Sequence, residues 1–160
     1  MSMPVQKPGR SKQDYGTPPE FLAAVKDRLG ITEFDIDLAA SEHNTCAPLH
    51  YNEELDALKQ NWAIGNGWNW LNPPFTHIEP WVKRAYEQSV KYGVKTAVLV
   101  PAGVGSNWWR DWVHRKATVL LLNGRLTFVG ETTCYPKDCC LLLYSLPDMG
   151  VQYSVWSWRE

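Results

Sequence analysis

The chain has 160 residues, of which 44% are hydrophobic and 21% charged, with nine tryptophans and a formal net charge of −1. A single domain of this length buries roughly 68–70% of the surface its unfolded chain exposes, and the composition excludes a wholly disordered protein. The near-zero net charge also excludes a uniformly basic coat, but residues 14–61 hold ten acidic and three basic side chains while residues 81–128 hold eight basic and two acidic, so an acidic first half precedes a basic second half able to meet phosphate.

Residues 1–13 are polar and basic, with Lys7, Arg10 and Lys12 set among Pro4, Pro8 and Gly9, and are expected to form a flexible arm. The remainder, 14–160, reads as one domain. Thr17-Pro18-Pro19-Glu20 predicts a helix start, with Thr17 as N-cap and Glu20 completing a capping box. Phe21, Leu22, Val25 and Leu29 supply the apolar stripe and Gly30 the stop. Phe34 to Leu38 alternates apolar and acidic residues and predicts a strand running out at Ala39-Ala40-Ser41. Residues 42–62 read as irregular, with one short helix around 53–59.

Trp68 to Leu71 predicts a second strand, and a helix with Ile78, Trp81, Val82, Ala85 and Ser89 on one face follows the Asn72-Pro73-Pro74-Phe75 segment. Thr96 to Val100 is a continuous apolar run of the kind found in a parallel strand covered on both faces. A Trp-rich helix is expected over about 107–115, then strands at 118–122, 126–129, 139–144 and 152–156. Strand and helix alternate first and strands alone finish the chain. This order predicts a doubly wound α/β sheet, compact and mixed, with an antiparallel C-terminal hairpin.

The chain shows neither an apolar run near 18 residues nor a charged-then-apolar leader, so a soluble cytoplasmic protein is expected. Cys46, Cys134, Cys139 and Cys140 include an adjacent pair and make no disulfide framework. His43-x2-Cys46-x3-His50 lacks a fourth ligand at a familiar spacing, and no metal is expected.

In an open α/β sheet, ligands gather beyond the carboxyl ends of the strands. Asp37 to Ser41 and Asn72 to Phe75 both lie just past such ends. Neither Pro73 nor Pro74 has an N–H and both have a fixed φ, so the segment presents the Asn72 and Pro73 carbonyls, and the Asn72 side-chain oxygen, as acceptors. Phe75 offers an aromatic face. The matching guest is a flat ring carrying an exocyclic NH2, whose two hydrogens bond two acceptors. Acceptors out of the ring plane favour the pyramidal nitrogen of a transition state over the flat ground state.

Asn72-Pro73-Pro74-Phe75 resembles the catalytic Asn/Asp-Pro-Pro-Tyr/Phe motif of S-adenosylmethionine-dependent amino-methyltransferases. With Tyr15 to Phe21, Asp35 to Ser41, Asn61-Trp62 and Gly124 to Phe128 in that order, the chain is similar to the small, largely phage-encoded Dam-type DNA adenine-N6 methyltransferases over about residues 14–146. The resemblance implies a Rossmann-like class I fold with helices on both faces of the sheet, S-adenosylmethionine as cofactor, DNA as substrate and, for a phage protein, the host cytoplasm. It implies that Tyr15, Thr17 and Pro18 line the methionine end of the cofactor, with Asp37, Ala39 and Ala40 in its first loop and Asp37 near the ammonium group. Asp56 is the candidate for the ribose hydroxyls, Asn61 for the cofactor's adenine amine and Phe128 for packing near the target base. Ala39-Ala40-Ser41 stands where larger relatives carry a glycine-rich loop.

An adenine inside a duplex cannot reach this cradle, so the base is flipped out or the substrate is single-stranded. Lys83, Arg84, Arg110, Arg115, Lys116 and Arg125 are the candidates for phosphate. Gly103 to Asn107 is either a loop over the target base or a loop feeding a capped helix. Trp108, Trp109 and Trp112 either stack bases or pack in a core. The chain is too short for a separate target-recognition domain, and monomer and homodimer both remain open. So do other amines, namely cytosine N4, RNA adenine and protein glutamine, and a non-catalytic module binding DNA or the cofactor.

Overall fold

The computed structural model describes residues 16–41, 44–145 and 152–160. Among them, three helices and five strands form a mixed α/β fold: α1 (Pro19–Leu29), β1 (Trp68–Leu71), α2 (Glu79–Tyr92), β2 (Lys95–Pro101), α3 (Asn107–Trp112), β3 (Thr118–Asn123), β4 (Cys139–Tyr144) and β5 (Tyr153–Ser157). A short 3-10 helix occupies Ala57–Lys59.

The sheet order is β1-β2-β4-β3-β5. β1 runs parallel to β2, with Leu71 opposite Val98, and β4 lies antiparallel to both β2 and β3. The chain end departs from the expected hairpin, because β5 pairs in parallel with β3, Leu121 facing Val155, and does not fold back on β4.

Alternation along the strands sends side chains to two separate cores. Leu71, Val98, Val100, Val119, Cys140 and Leu142 meet Val82 and Ala85 of α2 and Trp109 of α3. Trp70, Ala97, Leu99, Leu120 and Leu141 meet Phe21 and Val25 of α1. Helices therefore cover both faces, and β2 is buried on each side. At roughly 25 cal/mol per Å2 of buried apolar surface, this double burial is the main force holding β2 in place.

α1 ends as expected at Gly30, where φ is 68°, a conformation that favours glycine. Its start differs. Pro18 occupies the N-cap position and no side chain caps the helix, so the Thr17–Glu20 capping box does not form. The Pro18 carbonyl instead accepts from Phe21 and Leu22 N–H, and the Thr17 hydroxyl is turned elsewhere.

Three further elements differ from the sequence reading. Residues 34–38 run beside β1, with a bend at Asp35 and a turn from Leu38, Asp35 N–H donating to the Trp68 carbonyl and Leu38 N–H to that of Trp70. Only Asp37 makes a bridge, to Trp70 and His50. The cause is a break in alternation: the Asp35 carboxylate accepts from Gly67 N–H at 2.8 Å, and Phe34 joins one core while Ile36 and Leu38 join the other. α3 stops at Trp112, since Lys116 and Ala117 N–H turn back onto the Val113 carbonyl and Arg115 takes φ 62°. Residues 126–129 form no strand. Gly124 (φ 115°) turns the chain away, its carbonyl held by Trp158 Nε1 at 2.7 Å, and Tyr135 N–H takes the Leu126 carbonyl.

Candidate active site

β1 delivers Asn72-Pro73-Pro74-Phe75 to the carboxyl end of the sheet, and the extended segment beside it delivers Asp37 to Ala40. The two segments share a wall as expected, because Asp37, Trp70 and Asn72 line one cavity of about 190 Å3 together with Gly16, Thr17 and Cys46. A second cavity of the same size is lined by Leu38, Ala39, Asn52, Asp56 and Trp81. Ala39 lines both, so a single crevice straddles this small residue.

Each wall of the crevice has a local cause. Gly16 bridges Val129, whose N–H donates to the Gly16 carbonyl at 3.0 Å, and this joins the first segment to the chain just past Phe128. A Cβ at position 16 would lie 2.8 Å from Asn44 Oδ1 and 3.1 Å from Val129 Cβ, so any larger residue would have to displace the Asn44 amide and crowd Val129. Thr17 Oγ1 accepts from Asn72 Nδ2 at 3.3 Å. That contact orients the Asn72 amide and accounts for the missing helix cap.

Asp37 is buried, with Oδ2 accepting from Cys46 N–H at 2.8 Å and Oδ1 from Ala39 N–H at 3.2 Å. Burial pushes its carboxyl up to about 6, and the two N–H donors hold it below where burial alone would place it. The same burial, with Asp37 nearby, pushes the Cys46 thiol up to about 12, so it is protonated at neutral pH. Trp70 Nε1 is buried with no hydrogen-bond partner among the described residues. A crevice with a buried carboxylate, a hydroxyl and an unsatisfied indole donor fits the ammonium and carboxylate of an amino-acid moiety.

Asp56, on the second cavity, adopts φ 47° and caps the 3-10 helix by accepting from Leu58 N–H at 3.1 Å. Non-glycine residues hold such a conformation only under constraint. Ala40 is buried and donates its N–H to the Tyr51 carbonyl. Asn61 is exposed and lines neither cavity; its side-chain oxygen accepts from Ala63 N–H and its carbonyl from Tyr51 Oη. Tyr15 lies outside the described residues, as does the 1–13 arm.

Phe75 is anchored by two rings, Phe128 at 6.1 Å and Tyr135 at 5.5 Å between centroids, both edge-on. Phe128 is buried and itself packs on Tyr135 at 5.6 Å. Such geometry contributes about 0.5–1.5 kcal/mol per pair beyond burial. Tyr135 escaped the sequence reading because it stands in an irregular stretch without periodicity. Gly16 and Trp70 had signals, an unexplained glycine before Thr17 and a strand residue next to Asn72.

The basic candidates separate into groups. Lys83 and Lys116 reach over the Trp112 ring at 5.5 and 6.0 Å, with Arg115 exposed beside them. Arg110 is paired with Asp111 at 2.7 Å, and Arg125 with Asp138 at 3.2 Å, both in solvent. Arg84 stands apart from these: it is half-buried, lies over Trp62 and donates to the Gln60 carbonyl.

The mixed sheet with its covering helices is compatible with a methyltransferase fold. Residues 5–140 match the family model described as DNA N-6-adenine-methyltransferase (Dam), and the chain belongs to that family. It is similar to a DNA N-6-adenine-methyltransferase of Escherichia phage T1, 32% identical over 113 residues that cover 71% of this chain and 46% of the relative. A second DNA N-6-adenine-methyltransferase, from Haemophilus phage HP1 (strain HP1c1), is 31% identical over 131 residues, 81% of this chain and 74% of the relative. The chain thus spans about half the length of the phage T1 protein. None of the helices among the described residues is long and apolar enough to cross a membrane.

Proposed function

We propose that this chain is a DNA adenine-N6 methyltransferase of Rossmann-like class I type that uses S-adenosylmethionine and acts in the cytoplasm of a phage-infected host. Family membership gives the reaction class, and the observation that carries the assignment to residues is the Asn72–Thr17 contact at 3.3 Å. It holds an amide at the mouth of a crevice whose other groups suit an amino-acid cofactor.

In this reading Thr17, Pro18, Asp37, Ala39 and Ala40 line the methionine end, with Tyr15 assigned there by resemblance alone. Asp37 faces the ammonium group and Trp70 Nε1 the carboxylate. Asp56 meets the ribose hydroxyls, and Asn61 receives the adenine amine on the second lone pair of its side-chain oxygen. The bound cofactor supplies an electrophilic methyl group.

The rest of the chemistry belongs to the chain. The Pro74 carbonyl accepts from His77 N–H, and the Asn72 side-chain oxygen and the Pro73 carbonyl are the acceptors assigned to the target amine. Accepting both hydrogens draws the nitrogen lone pair out of conjugation with the ring and aims it at the methyl group. Phe75, braced by Phe128 and Tyr135, stacks on the base and fixes its plane. Donors or acceptors preorganised for the transition state contribute about 2.7–4 kcal/mol each. Lys83, Arg115 and Lys116 form the principal phosphate surface, with Arg110 and Arg125 at its margins.

The test is methyl transfer from labelled S-adenosylmethionine to unmethylated DNA, followed by digestion and mass spectrometry of the nucleosides. N6-methyladenine is expected. N4-methylcytosine alone would change the guest, and no transfer despite cofactor binding would overturn the activity.

A further inference from the structure

The cavity that holds Thr17, Asp37 and Asn72 is also lined by Cys46, a side chain the proposed chemistry leaves unused. The residue is held from two directions. Its N–H donates to Asp37 Oδ2 at 2.8 Å, and its half-buried side chain packs against the core beneath α1.

The thiol has two polar partners, the Thr17 hydroxyl and the Asp37 carboxylate. The proton inventory gives each contact its direction. Asp37, with its carboxyl at about 6, is ionised above that pH and only accepts. Burial and this carboxylate push the Cys46 thiol up to about 12, so the S–H is retained and donates to Asp37. The Thr17 hydroxyl accepts from Asn72 Nδ2 at 3.3 Å, and its own proton is free for the sulfur.

These contacts make one chain in which every donor points the same way, from the Asn72 amide through hydroxyl and thiol to the carboxylate. The direction matters because a hydroxyl can turn. A Thr17 hydroxyl that donated to Asn72 would hold the amide by its oxygen and leave the NH2 facing a guest that needs an acceptor. A sulfur that takes the Thr17 proton leaves only lone pairs for Asn72. Hydrogen bonds in series also polarise one another, which strengthens the arrangement.

We propose that Cys46 is a positioning residue for methyl transfer: it accepts from the Thr17 hydroxyl, donates to the Asp37 carboxylate, and so keeps the Asn72 side-chain oxygen turned toward the target amine. No proton changes hands along the chain; it sets orientation alone. The inference rests on the proposed roles of Asn72 and Asp37 and adds the residue that connects them.

The test is a double-mutant cycle on the single-turnover rate of adenine methylation, at saturating S-adenosylmethionine and DNA, with cofactor affinity measured by calorimetry. Cys46→Val removes the thiol but leaves the backbone N–H on Asp37. It is expected to lower the rate about three- to fivefold, the kinetic equivalent of one neutral hydrogen bond, with cofactor affinity kept within about twofold. Cys46→Ser keeps a donor and an acceptor and should recover most of the loss. In a Thr17→Val background the Cys46→Val substitution should cost less than about 1.5-fold, because its path to Asn72 is already cut, whereas independent residues would add their losses.

Additive losses would overturn the inference, as would a Cys46→Val variant at the wild-type rate or a Cys46→Ser variant no faster than Cys46→Val. So would a Cys46→Val variant that keeps its rate and loses cofactor affinity, which would make the side chain part of the crevice wall alone. If Cys46→Val does not fold, Cys46→Ala takes its place in the cycle, with the same results expected and the same results decisive. A wild type that forms no N6-methyladenine would refute the proposed activity and the inference together, and an active wild type with additive losses would refute the inference alone.

Discussion

Asn72 Nδ2 donates to Thr17 Oγ1 across 3.3 Å, joining two positions 55 residues apart. The hydroxyl thereby sets which way the amide faces. Thr17→Val keeps the shape and removes the acceptor; a neutral hydrogen bond contributes about 1 kcal/mol, or roughly fivefold in kcat. The loss should appear in kcat with little change in thermal stability, and Thr17→Ser should remain near wild type. Single-turnover methylation with excess enzyme measures it directly.

Replacing the amide itself should cost far more. Asn72→Ala is expected to lower kcat by about 10²–10³-fold, the loss seen when one preorganised polar contact to a transition state is removed, with cofactor affinity kept. Asn72→Asp retains an acceptor, and the Thr17 hydroxyl can rotate to donate to it. Steady-state rates should place it well above the alanine variant. Equal loss in both would show that an acceptor oxygen at this position is not sufficient and that the neutral amide is required.

The buried Asp37 makes the apoprotein sensitive to pH in one direction and cofactor binding in the other. Its carboxyl is raised from 3.8 to about 6 by burial, so the folded state holds the proton more tightly than the unfolded state. Apoprotein stability therefore increases as pH falls through 6, is fully gained below 3.8, and is lost again as pH rises through 6, on the order of 3 kcal/mol in all. If Asp37 faces the cofactor's ammonium group as proposed, cofactor binding should weaken over the same fall in pH. Urea titrations at pH 7.5 and 5, with calorimetry at each, are expected to move oppositely; Asp37→Asn should flatten the first and weaken cofactor binding at pH 7.5 by about tenfold or more.

Gly16→Ala tests the crevice wall. The added methyl would sit 2.8 Å from Asn44 Oδ1 and 3.1 Å from Val129 Cβ, and overpacking of this kind costs about 1–3 kcal/mol. A drop in Tm is expected together with weaker cofactor binding. A variant with wild-type Tm and affinity would show that the segment yields easily and that its closeness is not required.

Local chemistry made much of this legible in advance. Proline pairs fix φ and remove donors whatever the tertiary setting, so the Asn72 segment announced itself, and the apolar run of β2 declared burial on both sides. The capping box misled because Thr17 has two equally local uses, and only a residue 55 positions away decides between them. The strand expected at 126–129 failed for a similar reason: its alternation is real, as Leu126 and Phe128 are both buried, but the Leu126 carbonyl is claimed by Tyr135. Trp70 and Trp108 carry the same side chain, yet one is wholly buried and the other half-buried beside a cavity. Sequence placed one in a strand and the other in a helix, but tryptophan at either place can be core or rim, and only the packed neighbours decide.

The Gly16–Val129 bridge has a consequence for synthesis. One wall of the crevice, at Gly16, is translated well before the residue it must clasp, which lies beyond β3. Contacts so distant in sequence require a large loop to close before they contribute. A nascent chain that has released only β1 and β2 carries the Asn72–Phe75 segment without this wall of its crevice. The crevice is thus incomplete until translation has passed Val129 and the first and last thirds of the polypeptide have met.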